Sequence, residues 1–258
     1  MPLHIIVCIK SVVLEAPEGR IVRLPENCAL NPFDRPAIEM ALRLRDEMGG
    51  KVTALSMGPE AGATALYEAI SMGVDNAVII SDPALAGSDT LATSTALGAA
   101  LLKLKPFDLV LFGTRTSDSD TGQVGPQTAV SIDLPLVTGV CNLEYGDTGF
   151  KAVCRSDGFV LSCEVSPPCA LTIHPEAIET RDSSLHGIER AFKKVSVEKM
   201  TLKKLGISRD QVGEHGSPTR VVSMKRVSMK RKCEFISGFP EEQADEIVKR
   251  LKESGYVG

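Results

Sequence analysis

Short apolar runs of strand length alternate with longer stretches of helical periodicity through the first half of the chain. His4 to Ile9, Lys51 to Met57, Asn76 to Ile80 and Phe107 to Gly113 are rich in Val, Ile and Leu. Runs of this kind suit strands buried on both faces of a parallel sheet. Between them, Asp34 to Met48 sets Ala37, Ile38, Ala41, Leu42, Leu44 and Met48 near one helical face. Arg43, Arg45, Asp46 and Glu47 lie on the other face, and Gly49-Gly50 ends the segment. Glu60 to Met72 repeats the pattern through Ala63, Leu66 and Ile70 and closes on Gly73. Ser88 to Leu104 is a third helix, and its Ala, Leu and Thr content predicts burial. Strand and helix in alternation predict an α/β fold with a parallel sheet and right-handed crossovers.

The pattern changes after Asp133. Leu134 to Cys141, Phe150 to Arg155, Phe159 to Val165 and Cys169 to Ile173 read as strands, with Asp147-Thr148-Gly149 and Asp157-Gly158 as turns. A small antiparallel section is expected, interrupted by Pro167-Pro168. From about Pro175 periodicity fades and Lys, Arg and Glu become frequent. The chain ends in an amphipathic helix near Pro240 to Ser254, with Ala244, Ile247, Val248 and Leu251 on one face. Just before it, Val222-Ser-Met-Lys-Arg repeats at once as Val227-Ser-Met-Lys-Arg, too short to be a solenoid unit. The expected organisation is an α/β domain over 1–175 and an extended arm over 176–258. The arm either lies on another protein or wraps its own sheet.

Composition narrows the function classes. The 258 residues are 43% hydrophobic and 24% charged, enough for a sizeable core. With no Trp and 4% aromatics, that core must be aliphatic. A net charge of −4 argues against a general nucleic-acid binder, and the basic cluster Lys225, Arg226, Lys230, Arg231, Lys232 reads as a solvated or partner-facing stripe. The seven cysteines form no C-x-x-C pair, so they read as reduced thiols of a cytoplasmic protein rather than zinc ligands. No apolar run approaches the roughly 20 residues of a membrane span, and the N-terminus lacks the marks of a signal peptide.

No Ser, His and acid can be grouped into a catalytic set. The informative stretch is Gly113-Thr114-Arg115-Thr116-Ser117-Asp118-Ser119-Asp120-Thr121-Gly122-Gln123-Val124-Gly125-Pro126. It leads from a strand into a helix expected near Thr121, at the sheet edge where open α/β folds bind ligands. Helix-start N–H groups suit a phosphate, Thr121 and Gln123 add donors, and Arg115 adds charge. Asp118 and Asp120 would repel a phosphate, and they fit helix caps or acceptors for ribose hydroxyls. The residues read equally well as a capped surface turn. In Asn31-Pro32-Phe33-Asp34-Arg35-Pro36, Asp34 reads as the N-cap of the next helix, and Asn31 as a base or ribose contact or part of a rigid loop.

Five motifs in register resemble the β subunit of electron-transfer flavoproteins. They are Ile6-Val7-Cys8-Ile9-Lys10, Asn31-Pro32-Phe33-Asp34, Leu55-Ser56-Met57-Gly58-Pro59, Ala69-Ile70-Ser71-Met72-Gly73-Val74-Asp75, and Asp118-x-Asp120-Thr121-x-Gln123-Val124-Gly125-Pro126. The resemblance implies a Rossmann-like domain of the adenine-nucleotide α-hydrolase type, with a C-terminal arm embracing an α subunit. It implies nucleotide contacts at Cys8, Asn31, Pro32, Phe33, Asp34, Met57, Gly113, Thr114, Arg115, Thr116, Asp118, Asp120, Thr121, Gly122, Gln123 and Val124. In the family this subunit holds AMP in simple carriers and a second FAD in electron-bifurcating members, where NADH is the hydride donor. The redox FAD of simple carriers belongs mainly to the α subunit. Thr121-Gly-Gln-Val-Gly-Pro resembles the bifurcating members and favours FAD. The segment Arg181-Asp-Ser-Ser-Leu185 matches the loop that anchors acyl-CoA dehydrogenases through a leucine, here Leu185, although the usual tyrosine is not kept. The implied protein is an electron carrier subunit without covalent chemistry of its own. A stand-alone ATP- or AMP-binding sensor of the same fold is the alternative.

Overall fold

A computed structural model describes residues 2–14, 23–146, 148–223 and 233–257. The chain divides into two compact units, Met1–Met224 and Lys225–Gly258. The first unit begins with strand β1 (Leu3–Cys8), followed by the short antiparallel pair β2 (Ser11–Val13) and β3 (Cys28–Leu30). Then come α1 (Arg35–Met48), β4 (Gly50–Met57), α2 (Thr64–Met72), β5 (Asn76–Ile80), α3 (Thr90–Leu104), β6 (Leu109–Gly113) and α4 (Val124–Ser131). Strands β7 (Leu136–Gly146), β8 (Gly149–Ser156), β9 (Phe159–Val165) and β10 (Cys169–Ile173) follow. The unit closes with α5 (Leu185–Lys193), β11 (Val197–Met200), α6 (Leu202–Leu205) and α7 (Gly213–Gly216).

Nine of these strands form one sheet in the order β11-β5-β4-β1-β6-β10-β7-β8-β9. Every pair from β11 to β7 is parallel, and only β7 with β8 and β8 with β9 are antiparallel. Alternate residues of each central strand point to opposite faces. Ile5, Val7, Leu109 and Leu111 pack with Ala37, Ile38, Leu66 and Ile70 of α1 and α2. Ile6, Cys8, Val110 and Phe112 pack with Ala96, Leu97, Leu101 and Ala129 of α3 and α4. This double-sided burial explains the near-continuous apolar runs. Helix α1 carries Pro36 in its first turn and stops at Gly49, whose φ of +75° a side chain would resist.

One sequence expectation needs correction here. The segments Leu134 to Cys141 and Cys169 to Ile173 were expected in an antiparallel section. Instead β10 lies parallel between β6 and β7, with all five residues buried. Strand β7 changes partner along its length: Leu136–Val140 runs parallel to β10, and Val140–Gly146 antiparallel to β8. Gly139, at φ +68°, and a register shift after Val140 mark the change. Strand β9 ends the sheet, and its Phe159, Val160 and Leu161 are largely exposed.

The chain after residue 175 begins with pieces that pack on the first unit. Helix α5 packs on α2, and Tyr67 stacks on Phe192 with ring centroids 5.3 Å apart. Strand β11 extends the main sheet beside β5, and Leu202, Leu205 and Val212 are buried in the α3 and α4 layer. The residues from Leu185 to Gly216 therefore wrap their own domain. Each of these pieces is too short to show a period in sequence.

The second unit contains helix α8 (Pro240–Glu253). Its start is closed by the Glu242 carboxylate accepting the Phe239 N–H, and Arg250 bonds Glu246 and Glu234. Its apolar stripe leaves Ile247, Val248 and Leu251 exposed. Most of the tandem repeat and the basic cluster Lys225, Arg226, Lys230, Arg231, Lys232 lie outside the described residues. Among the described residues, no helix is long and apolar enough to cross a membrane.

Candidate nucleotide site

Strand order reverses between β1 and β6, because β4 and β5 lie on one side of β1 while β6 and β10 lie on the other. Ligands of open α/β sheets bind beyond the carboxyl ends of the strands at such a reversal. Here that position is organised by Asn31 and Asp34, both buried, from the turn before α1. The Lys10 N–H after β1 donates to Asp34 Oδ2 at 2.7 Å. The main-chain N–H of Gly113, at the end of β6, is bonded to the same carboxylate. Asp34 thus ties together the ends of the two strands that flank the reversal. A Cβ on Gly113 would lie 2.2 Å from Asp34 Oδ1 and 2.5 Å from the Phe33 carbonyl oxygen, so only glycine permits the approach.

Asn31 holds the loop that leaves β6. Its Nδ2 donates to the Arg115 carbonyl at 2.9 Å, and its Oδ1 accepts the Ser117 N–H at 3.2 Å. Its own N–H donates to the Lys10 carbonyl. The loop tip is held by Lys10, whose Nζ donates to Asp118 Oδ1 at 2.6 Å and to Ser119 Oγ at 3.1 Å. Thr114 Oγ1 donates to the Ile173 carbonyl, and Thr116 Oγ1 pairs with Ser119 Oγ. The Arg115 guanidinium lies 4.5 Å from the Phe33 ring centroid and 3.6 Å from Asp120.

Burial sets the electrostatics. It pushes the Asp34 carboxyl up to about 7, against the opposing pull of Lys10, Asn31 and the Gly113 N–H. Burial, with Asp34 nearby, also drives the Cys8 thiol far above its ordinary range, so Cys8 is a neutral apolar wall. For Asp118 burial alone would raise the carboxyl, but the bonded Lys10 ammonium brings it below the usual carboxylate range.

Several expected site residues therefore meet in one place: Cys8, Asn31, Phe33, Asp34, Gly113, Thr114, Arg115, Thr116, Asp118 and Asp120. Met57 ends β4 next to β1, while Pro32 is exposed on the turn before α1. Thr121, Gly122 and Gln123 form the exposed approach to α4, and Val124 is its first residue. Leu185 stands on α5 with 87% of its surface exposed.

Three local readings are corrected. The helix after the loop begins at Val124 rather than near Thr121, because Asp120 and Gly122 have φ of +50° and +61°, outside the helical region. Asp118 and Asp120 consequently do not cap it; its N-cap is Gln123, with no side-chain cap bond. Asp34 occupies the N-cap position of α1 but makes no cap bond, since its carboxylate faces Lys10 and Gly113. Lys10 itself was missed as a site side chain. Its position directly after a buried strand at the ligand edge was the available signal.

These features define a class: doubly wound α/β proteins, in which the ligand crevice lies at the strand reversal. Electron transfer flavoprotein domains match residues 19–205. The electron transfer flavoprotein subunit beta of Thermoanaerobacterium thermosaccharolyticum is 40% identical over 223 residues, 86% of this chain and 85% of that protein. That of Clostridium acetobutylicum is 37% identical over 262 residues, 99% of this chain and 100% of that protein. The acryloyl-CoA reductase electron transfer subunit gamma of Anaerotignum propionicum is 35% identical over 269 residues, again 99% and 100%. The chain belongs to the electron transfer flavoprotein family, among its β subunits. The family is one of flavoproteins in electron transport whose β subunits pair with an α subunit.

Proposed function

We propose that this chain is the nucleotide-holding β subunit of a heterodimeric electron-transfer flavoprotein, with the adenine nucleotide seated over the carboxyl ends of β1, β4 and β6. The carrying observation is the way Asn31, Asp34 and Lys10 fasten the 113–120 loop across that edge and leave 121–123 open at the start of α4. Cys8 and Met57 supply an apolar floor for a base. The first turn of α4 and the nearby Lys10 and Arg115 suit phosphate oxygens.

The favoured nucleotide is FAD, with AMP as the simpler occupant, on the strength of Thr121-Gly-Gln-Val-Gly-Pro. A bound FAD would supply hydride acceptance from NADH, and the chain's own residues would bind, orient and shield it. Together with an α subunit, the chain would serve electron exchange with an acyl-CoA dehydrogenase-type partner. The name of the Anaerotignum relative, which contains acryloyl-CoA reductase, supports a CoA-thioester redox partner. Leu185 is the proposed anchor for that partner, in keeping with its exposure. Cytoplasmic placement remains part of this reading.

The test is co-expression with the α subunit followed by extraction and quantification of bound nucleotides. Two FAD per heterodimer supports the bifurcating form, and one FAD with one AMP the simple carrier. Recovery of neither nucleotide from this subunit's site overturns the proposal.

A further inference from the structure

The two cations beside the crevice are each paired with a carboxylate of the same loop: Lys10 with Asp118 at 2.6 Å, and Arg115 with Asp120 at 3.6 Å. The two pairs differ in kind. Arg115 and Asp120 have side chains 49% and 61% exposed, so water screens them and their separation is long. Lys10 and Asp118 are 32% and 20% exposed, and Ser119 Oγ takes a second bond from the ammonium. The main chain of Lys10 is fixed as well, since its N–H is bonded to buried Asp34 and its carbonyl to the Asn31 N–H. Its ammonium is therefore a positioned charge at the strand reversal, and Asp118 is the anion on it.

A phosphate would seek the same ammonium. Carboxylate and phosphate oxygens make equivalent charge-assisted bonds to lysine, and phosphate brings more charge. We propose that Lys10 and Asp118 determine how strongly this site favours a phosphorylated nucleotide over its nucleoside, with Asp118 acting as an internal competitor for the phosphate on Lys10. Exchange of the two anions releases the 116–119 turn at its tip, while Asn31 keeps its base in place through Arg115 and Ser117. This rests on the nucleotide reading above.

The experiment titrates the full-length chain with its α subunit, stripped of nucleotide, with adenosine, AMP and ADP by calorimetry. Lys10→Met is expected to weaken AMP and ADP about tenfold, the loss of one partly exposed charged bond, and to leave adenosine unchanged. Asp118→Asn is expected to tighten AMP and ADP by roughly three- to tenfold. In the Lys10→Met background Asp118→Asn should have no effect, because the two compete only through the ammonium. If the wild type binds AMP and Lys10→Met binds it equally well, the competitor role is overturned and the nucleotide reading stands. The same holds if Asp118→Asn weakens AMP and adenosine alike. If the wild type binds none of the three, the Lys10 proposal is overturned, and if it takes up no FAD either, the nucleotide reading falls with it.

Discussion

The carboxylate of Asp34 accepts the main-chain N–H of Lys10 at 2.7 Å from a position only 4% exposed. The bond places a titratable group between the two central strands, where its proton balance differs between folded and unfolded chain. Burial raises the folded carboxyl to about 7, whereas an unfolded aspartate titrates near 3.9. Between those values the folded state holds the proton and the unfolded state does not. Stability from this group therefore falls as pH rises from about 4 to 7 and is level above that. Urea unfolding of wild type and Asp34→Asn across this range should show the difference between them changing with that sign. A pH-independent difference contradicts it.

Gly113→Ala forces a methyl group against Asp34 and the Phe33 carbonyl. We expect a loss of about 1–3 kcal/mol in unfolding free energy, typical of overpacking against backbone. The same variant should lose nucleotide affinity, because the loop base must shift. Denaturant midpoints together with AMP titration check both effects.

Arg181 donates through Nε at 2.8 Å and Nη2 at 3.0 Å to the two carboxylate oxygens of Glu39, a residue 3% exposed on α1. Arg181→Ala strands that carboxylate. Full burial would put the cost near 3–5 kcal/mol. Arg181 is 35% exposed and Arg43 stays 3.6 Å from Glu39, so about 2 kcal/mol is expected. Adding Glu39→Gln should recover most of it in a double-mutant cycle.

Leu185→Ala should change stability by less than about 0.5 kcal/mol, as for an exposed site. Under the proposed function it slows electron transfer to the dehydrogenase-type partner while leaving nucleotide content intact. Stopped-flow flavin absorbance separates the two readouts. An unchanged transfer rate removes Leu185 from the partner surface.

The legible parts of the fold were those with a strong local signal. Val, Ile and Leu runs buried on both faces marked β1, β4, β5 and β6 in the right order, and the helices between them followed from one-sided apolar spacing. The β10 segment has the same all-buried character, yet its neighbours in sequence are antiparallel strands, and proximity along the chain misdirected its pairing. Strand β11 and helices α6 and α7 are short and polar on one side, so only tertiary contact defines them. In the site, residue types suggested a ligand loop, but not which polar groups serve the loop itself. Asp34 before Arg35-Pro36 has the type and position of an N-cap. Its carboxylate turns away because Lys10 and Gly113, distant in sequence, present N–H groups to it. Asp118 likewise reads as a cap until Lys10 is seen beside it.

The end of the sheet carries a consequence for how the protein must be made. Strand β9 opens with Phe159, Val160 and Leu161 at 70%, 66% and 58% exposure, next to a row of backbone groups on the outer edge of the sheet. An apolar edge of this kind templates further strands. Surplus copies of this chain are expected to self-associate through that edge, so light scattering of the isolated subunit should grow with concentration unless β9 carries a charge such as Val160→Lys. Balanced synthesis with whatever covers the edge is, on this view, a requirement for keeping the polypeptide dispersed.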